Sequence, residues 1–354
     1  MKRIQNFYYL LAILIFSIIF LYYSKPFLIP FILSLIFWFI IRETKQGLKK
    51  ISYICRKIPE GILTFTAALI LFIFLGFAVK MITNNIQTLS TQATLYETNL
   101  SRTIDQVDQM LEINSMSYFA EITKDFDFST LVKSILNSVS ELFNNTLMIL
   151  FYTVFLLIEE TVFDKKIKAV YANNNSAYLK TSSLLLKIEN SISNYLTLKA
   201  IVSFITGTLS YFILYYLDIE APAFWAFLIF LLNFIPTVGS LIATTFPAIF
   251  AVFQYGEFSY FLYVLGLVGL VQMIIGNFVE PKIMGSSLNM SSLVVIVALS
   301  FWGAIWGVTG MILSVPITVI AIILCAHFKS TRPLAIFLSE KGDIEQLLLP
   351  KNID

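Results

Sequence analysis

The chain has 354 residues, 58% of them hydrophobic and 13% charged, with a mean hydropathy of +0.81. Soluble domains carry about 25% charged residues, so the composition excludes a soluble globular protein and reads as an integral membrane protein. A net charge of +2 is too small to argue for nucleic acid. Two remote cysteines, Cys55 and Cys325, make neither a disulfide framework nor a metal site.

Apolar segments fall at 6–22, 27–41, 60–82, 146–158, 200–217, 222–253, 258–279 and 290–327. Crossing roughly 30 Å of hydrocarbon takes about 20 helical residues. The first and third segments are clear spans, and 27–41 and 146–158 reach span length by extension at their ends. Lys2 and Arg3 before the first run imitate a secretory signal. No small-x-small cleavage site precedes Tyr22-Tyr23-Ser24, and a second run follows at once, so the segment reads as an uncleaved first span.

Loop charge predicts orientation. Residues 42–59 carry Arg42, Lys45, Lys49, Lys50, Arg56 and Lys57. By the positive-inside rule that loop and the N-terminus are cytoplasmic. Residues 83–145 then lie outside, with three bases against eight acids, and 161–199 return inside with six lysines from Lys165 to Lys199. Within the external insertion, Ile86, Leu89, Ala93, Tyr96, Leu100, Ile104, Val107 and Leu111 follow three-and-four spacing, as do Phe128, Leu131, Val132, Ile135, Val139 and Leu142. Such faces predict helices packed on themselves or a surface for self-association.

Two segments are too long for one straight span. At about 1.5 Å per residue, 222–253 would make roughly 48 Å of helix and 290–327 roughly 57 Å. Each holds breakers near its middle: Pro236 and Gly239 in the first, and Gly303, Gly307 and Gly310, with Pro316 beyond, in the second. Both are expected to be broken helices or helical hairpins. A simple helix followed by a broken hairpin, used twice in opposite orientation, is the inverted repeat of secondary transporters. The expected fold is therefore all-α, a polytopic membrane protein of about eight segments with two broken or re-entrant hairpins in an inverted-repeat second half. Its parts are three N-terminal spans (1–82), an external helical insertion (83–145), a fourth span with a cytoplasmic helical loop (146–199), a transport core (200–328) and a cytoplasmic tail (329–354).

Irregular backbone at membrane depth is tolerated only where protein buries it or where it lines a wet cavity. Candidate pathway residues accordingly gather at the breaks. Asn233, Pro236, Thr237, Gly239 and Ser240 mark the first; Gly307, Thr309, Gly310 and Pro316 mark the second. Gln272, Asn277 and Glu280 lie on the segment between, Gln272 and Glu280 about two turns apart and so on one face. A carboxylate in hydrocarbon costs roughly 2.5–3.5 kcal/mol, and Pro281 removes the next helical amide. Glu280 reads either as a proton or cation site, with Lys282 as competitor or counter-charge, or as part of a wet cytoplasmic turn. With His327 as the only histidine, no His-based triad or two-His metal motif is available, and no Walker loop is present. No catalytic residue, metal or cofactor is expected.

Three stretches carry a resemblance: Phe234-Ile235-Pro236-Thr237-Val238-Gly239-Ser240, Asn277-Phe278-Val279-Glu280-Pro281-Lys282-Ile283-Met284-Gly285, and Gly303 through Gly307, Thr309 and Gly310 to Pro316. In this order and spacing they resemble the signature regions of the autoinducer-2 exporter family of transporters, over nearly the whole chain. Thr237 stands where an aromatic often follows the proline, and Ser240 where a proline is frequent. The resemblance implies about eight membrane segments, a homo-oligomer with a pentamer as the candidate, and export of a small solute from a cell membrane. Some relatives are described as autoinducer-2 exporters and others as Na⁺(Li⁺)/H⁺ antiporters. The leading expectation is a secondary transporter exporting a small polar solute of the autoinducer-2 type between the two broken hairpins. The alternatives are a Na⁺(Li⁺)/H⁺ antiporter working through Glu280, and a non-transporting scaffold whose external insertion binds a partner.

Overall fold

A computed structural model describes residues 2–51, 58–91, 146–284 and 289–344, with residues 98, 99, 102, 103 and 106 in between. The regular elements among them are helical. They are α1 (Lys2–Tyr23), α2 (Lys25–Ile51), α3 (Glu60–Thr91), α4 (Thr146–Val170), α5 (Asn175–Tyr216), α6 (Pro222–Leu232), α7 (Val238–Tyr255), α8 (Phe258–Ile274), a π-helical turn (Ile275–Val279), α9 (Glu280–Met284), α10 (Ser292–His327) and α11 (Arg332–Leu338). Seven stretches of the described helices are long and apolar enough to span a bilayer. In lipid every backbone amide needs a partner inside the protein, which the helix supplies within one segment. The chain is an all-α polytopic membrane protein.

The short second and fourth segments do extend, to 27 and 25 residues. The span expected at 200–217 is the C-terminal part of a 42-residue helix that begins at Asn175, inside the stretch read as a cytoplasmic loop. The apolar faces expected in the insertion lie almost wholly outside the described residues. From that region Asn99 is buried and donates from Nδ2 to the carbonyls of Phe253 and Gln254, both at 2.9 Å. Those carbonyls sit at the end of α7, where Gly256 turns the chain with φ 67°.

The helices form two compact units. The first comprises residues 1–67, 142–195 and 286–354. Here α2 packs along α4, and of the basic residues counted for orientation Arg42, Lys49, Lys166 and Lys168 are engaged in ion pairs. Arg42 pairs with Glu189 at 2.5 Å and lies 3.8 Å from Glu160, which also accepts from Trp38 Nε1 at 2.7 Å. Ser193 donates to Glu43 at 2.5 Å.

In the same unit α10 reverses at Gly307, whose φ 63° and ψ −144° are open only to glycine. Gly310 then lies against the carbonyl of Trp302, eight residues earlier. A straight helix would hold those residues about 12 Å apart, so the chain has turned back on itself. Ile305, Trp306 and Leu313 pack at this turn against Leu21, Leu28, Ile32 and Ile36 of α1 and α2. Trp306 Nε1 donates to the Leu21 carbonyl at 3.0 Å, serving one of the carbonyls left unpaired at the end of α1.

The second unit comprises residues 68–141 and 196–285. Its α5 and α6 approach closely at Gly207, where a side chain would press on the Ala226 carbonyl and Phe230. The long apolar run 222–253 is broken at Asn233–Thr237 into α6 and α7, as its length and Pro236 require.

Candidate functional site

The break between α6 and α7 is held by three devices. Thr237 takes a left-handed φ of 59° with ψ −59°, a conformation that costs a threonine on the order of 1–3 kcal/mol. Gly239 sits against the carbonyl of Leu232 and the side chain of Ile235, with no room for a Cβ. Asn233, 6% exposed, donates from Nδ2 to Ser203 Oγ of α5 at 3.1 Å and so ties the end of α6 to its neighbour.

Beyond the break, α7 presents Ser240, Thr244 and Thr245 to a cavity of about 630 Å³. The opposite wall is α8 and the π turn, through Leu265, Gly269, Gln272, Met273, Gly276, Asn277 and Glu280. These recur at three-, four- and eight-residue intervals, so they lie along one helix face. At Gly269 the two walls come within reach of one another, since a Cβ there would lie 3.7 Å from Thr244 Cγ2. All of these residues belong to the second unit.

Hydrogen bonding gives the cavity a polarity. Ser240 Oγ donates to the Thr237 carbonyl at 2.8 Å, Thr244 to Ser240 at 2.9 Å and Thr245 to Leu241 at 2.8 Å. Each hydroxyl has one proton. With that proton spent on the backbone, all three offer only lone pairs to the cavity. Gln272 is the counterpoint, because its buried Nε2 has no hydrogen-bond partner among the described residues.

The π turn comes from Pro281. Proline brings no N–H and its ring crowds the carbonyl four residues back, here that of Asn277. The helix widens, and the Glu280 amide bonds to Ile275, five residues earlier. The Gly276–Asn277 carbonyls, on a stretch that lines the cavity, are therefore short of one intrahelical donor. Single π turns of this kind often mark functional sites. Pro281→Ala restores the missing amide. We expect it to raise stability by on the order of 1 kcal/mol while lowering transport, read as the thermal midpoint in detergent beside initial rates in vesicles.

Glu280 and Lys199 are the charged residues of the lining, and Lys199 Nζ lies 2.5 Å from Glu280 Oε1. The lysine side chain is 5% exposed and the glutamate 24%. The counter-charge of Glu280 is thus Lys199, not the neighbouring Lys282, which is exposed on α9.

Of the residues singled out from the sequence, Asn233, Pro236, Thr237, Ser240, Gln272, Asn277 and Glu280 line this one cavity. Gly239 is buried beneath its turn, and Pro281 is exposed on α9 with Lys282. Gly307, Thr309, Gly310 and Pro316 belong to the first unit. There Ser314 and Thr318 bond back to their own helix, and Pro316 is buried. Lys199, in sequence the last base of the 161–199 loop, is the lining residue that sequence reasoning misses. Its signal is a small-polar stripe, Lys199, Ser203 and Gly207, at four-residue spacing into an otherwise apolar helix.

Comparison with known proteins places these features in a family. The model of the family described as AI-2E family transporter matches residues 11–330. The chain is 27% identical over 321 residues to the AI-2 transport protein TqsA of Escherichia coli K12, covering 90% of this chain and 91% of the relative. It is 27% identical to a candidate transport protein of Haemophilus influenzae, over 90% of each chain. A candidate transport protein of Borreliella burgdorferi is also 27% identical, over 95% of this chain and 91% of its own.

Proposed function

The chain belongs to the AI-2E transporter family and is a multi-pass membrane transporter; on that premise we propose that it exports a small, uncharged, hydroxyl-bearing solute of the AI-2 kind through the cavity between α7 and α8. The observation that carries this reading is the lining itself. Three hydroxyls present acceptors only, and the two charges cancel each other. A solute rich in O–H donors satisfies such a wall without bringing a charge into a low-dielectric site. AI-2 is the solute named for TqsA, whose likeness extends over nine-tenths of both chains.

Orientation follows from charge. The bases of 42–59 and the lysines from Lys165 to Lys187 face the cytoplasm with both termini, and the acidic segment 83–145 faces outward. The two reversals share one local device, a glycine seated against the carbonyl seven or eight residues before it. That likeness supports reading 200–253 and 258–327 as repeats.

Gly269→Phe tests the pathway. The aromatic ring fills the space between α7 and α8 beside Thr244, eleven residues from Glu280. AI-2 transport into inverted vesicles should fall by about tenfold or more, the equivalent of about 1.4 kcal/mol in solute binding. An unchanged rate from a normally inserted variant would remove the cavity from the transport path.

A further inference from the structure

We propose that Lys199 is the charge-selectivity residue of this cavity: its ammonium occupies the place a free cation would take on Glu280, and so keeps the pathway closed to monovalent cations. The inference rests on reading the cavity as the solute path. It begins from an unusual burial. Lys199 opens an apolar helical stretch, yet its side chain is 5% exposed and its Nζ lies 2.5 Å from the Glu280 carboxylate. A buried ammonium is tolerated only when paired, so the two side chains hold one another.

With Lys199 in place the lining carries one positive and one negative charge. The remaining wall, taken without it, changes character. Its one charge is then the Glu280 carboxylate, among neutral polar side chains that include the hydroxyls of Ser240, Thr244 and Thr245, whose protons are turned away into the backbone, and the amides of Asn233, Gln272 and Asn277. The π turn adds carbonyl oxygen at Gly276–Asn277. A carboxylate is a ligand that hard cations prefer, and without Lys199 that of Glu280 is the one uncompensated charge of the lining. A free Na⁺ reaching Glu280 in the native chain has to displace an ammonium tethered to the same cavity, whereas an uncharged solute does not. A cleft carrying a single sign of charge concentrates counter-ions by about tenfold or more. Lys199 is what prevents this cleft from being one.

The test is ²²Na⁺ uptake into liposomes carrying the full chain, measured beside AI-2 transport. The native protein should pass Na⁺ no faster than protein-free liposomes. Lys199→Met, which keeps the length and removes the charge, should raise Na⁺ flux by about tenfold or more. The flux should return to baseline in Lys199→Met/Glu280→Gln, and Lys199→Arg should stay at baseline. If Lys199→Met does not insert, Lys199→Gln takes its place with the same expectation. Baseline Na⁺ flux in the inserted, thermally stable uncharged variant would overturn the proposal, as would equal flux after Glu280→Gln is added. Adding Gly269→Phe to Lys199→Met separates the two claims. Flux that persists there does not pass through this cavity, and the pathway reading falls with the proposal. A native chain that ignores AI-2 while the Na⁺ results hold removes only the assigned solute.

Discussion

Glu280→Gln should destabilise the protein by about 3–5 kcal/mol and abolish transport, the largest effect expected of any single substitution in the second unit. The magnitude is that of breaking a buried ion pair by removing one partner. It is asymmetric because the two partners are not equally buried. Lys199 is 5% exposed and has no water to turn to once the carboxylate is gone, whereas Glu280 is 24% exposed at the cavity wall. Lys199→Met should therefore cost clearly less than Glu280→Gln. Replacing both charges, as Lys199→Met/Glu280→Leu, should recover most of the loss, since a well-packed apolar pair often matches or exceeds a buried ion pair. Thermal unfolding of the four proteins in one detergent measures this. Equal losses for the two single variants, adding up in the double, would show that the pair is not coupled as the 2.5 Å separation requires.

Gly239→Val and Gly310→Val should each cost about 3 kcal/mol, the upper end of what overpacking does to a core. At both positions the nearest atom is a backbone carbonyl oxygen, of Leu232 in one case and Trp302 in the other. A carbonyl in a helix cannot swing away as a side-chain tip would, so the reversal itself has to open. The two variants should differ in what they report. Gly239 lies beside the cavity-lining turn, so Gly239→Ala, a smaller intrusion, should lower transport at temperatures where the protein is still folded. Gly310→Val loosens the packing of Trp306 and Leu313 against α1 and α2, and should show first as a blue-to-red shift in tryptophan emission below the unfolding midpoint. A Gly310→Val protein with the native midpoint would contradict the reversal described at Gly307.

Much of this architecture is legible in the chain because lipid leaves few choices. A run of 32 apolar residues has to break, and Pro236 stands where it does. The break at Gly307 was equally readable, because a bilayer-length limit and a cluster of glycines give the same answer from independent directions. What the chain hid is whatever depends on helix rotation. Lys199 sits at the polar edge of an apolar run, where lysines usually reach for water; the stripe it forms with Ser203 and Gly207 marks a helix face, but nothing local marks Glu280, 81 positions away, as its partner. Lys282, the near neighbour of Glu280 in sequence, was the obvious counter-charge and is turned elsewhere by the π turn. That turn was half visible: Pro281 foretold a lost amide, but the chain widened its helix and continued through Met284 instead of ending. The hydroxyls at Ser240, Thr244 and Thr245 were visible as polar residues near a break. Their value to the site lies in which way each proton points, and only the structure shows that.

The most direct test of the cavity as the transport path is solute protection at Ser240. With Cys55 and Cys325 replaced by serine, Ser240→Cys places a lone thiol on the cavity wall, and a small polar thiol reagent can be applied to inverted vesicles. The account predicts that labelling stops AI-2 transport, and that AI-2 present during labelling slows the modification in a concentration-dependent way. A labelled protein that transports AI-2 at its unlabelled rate would contradict it.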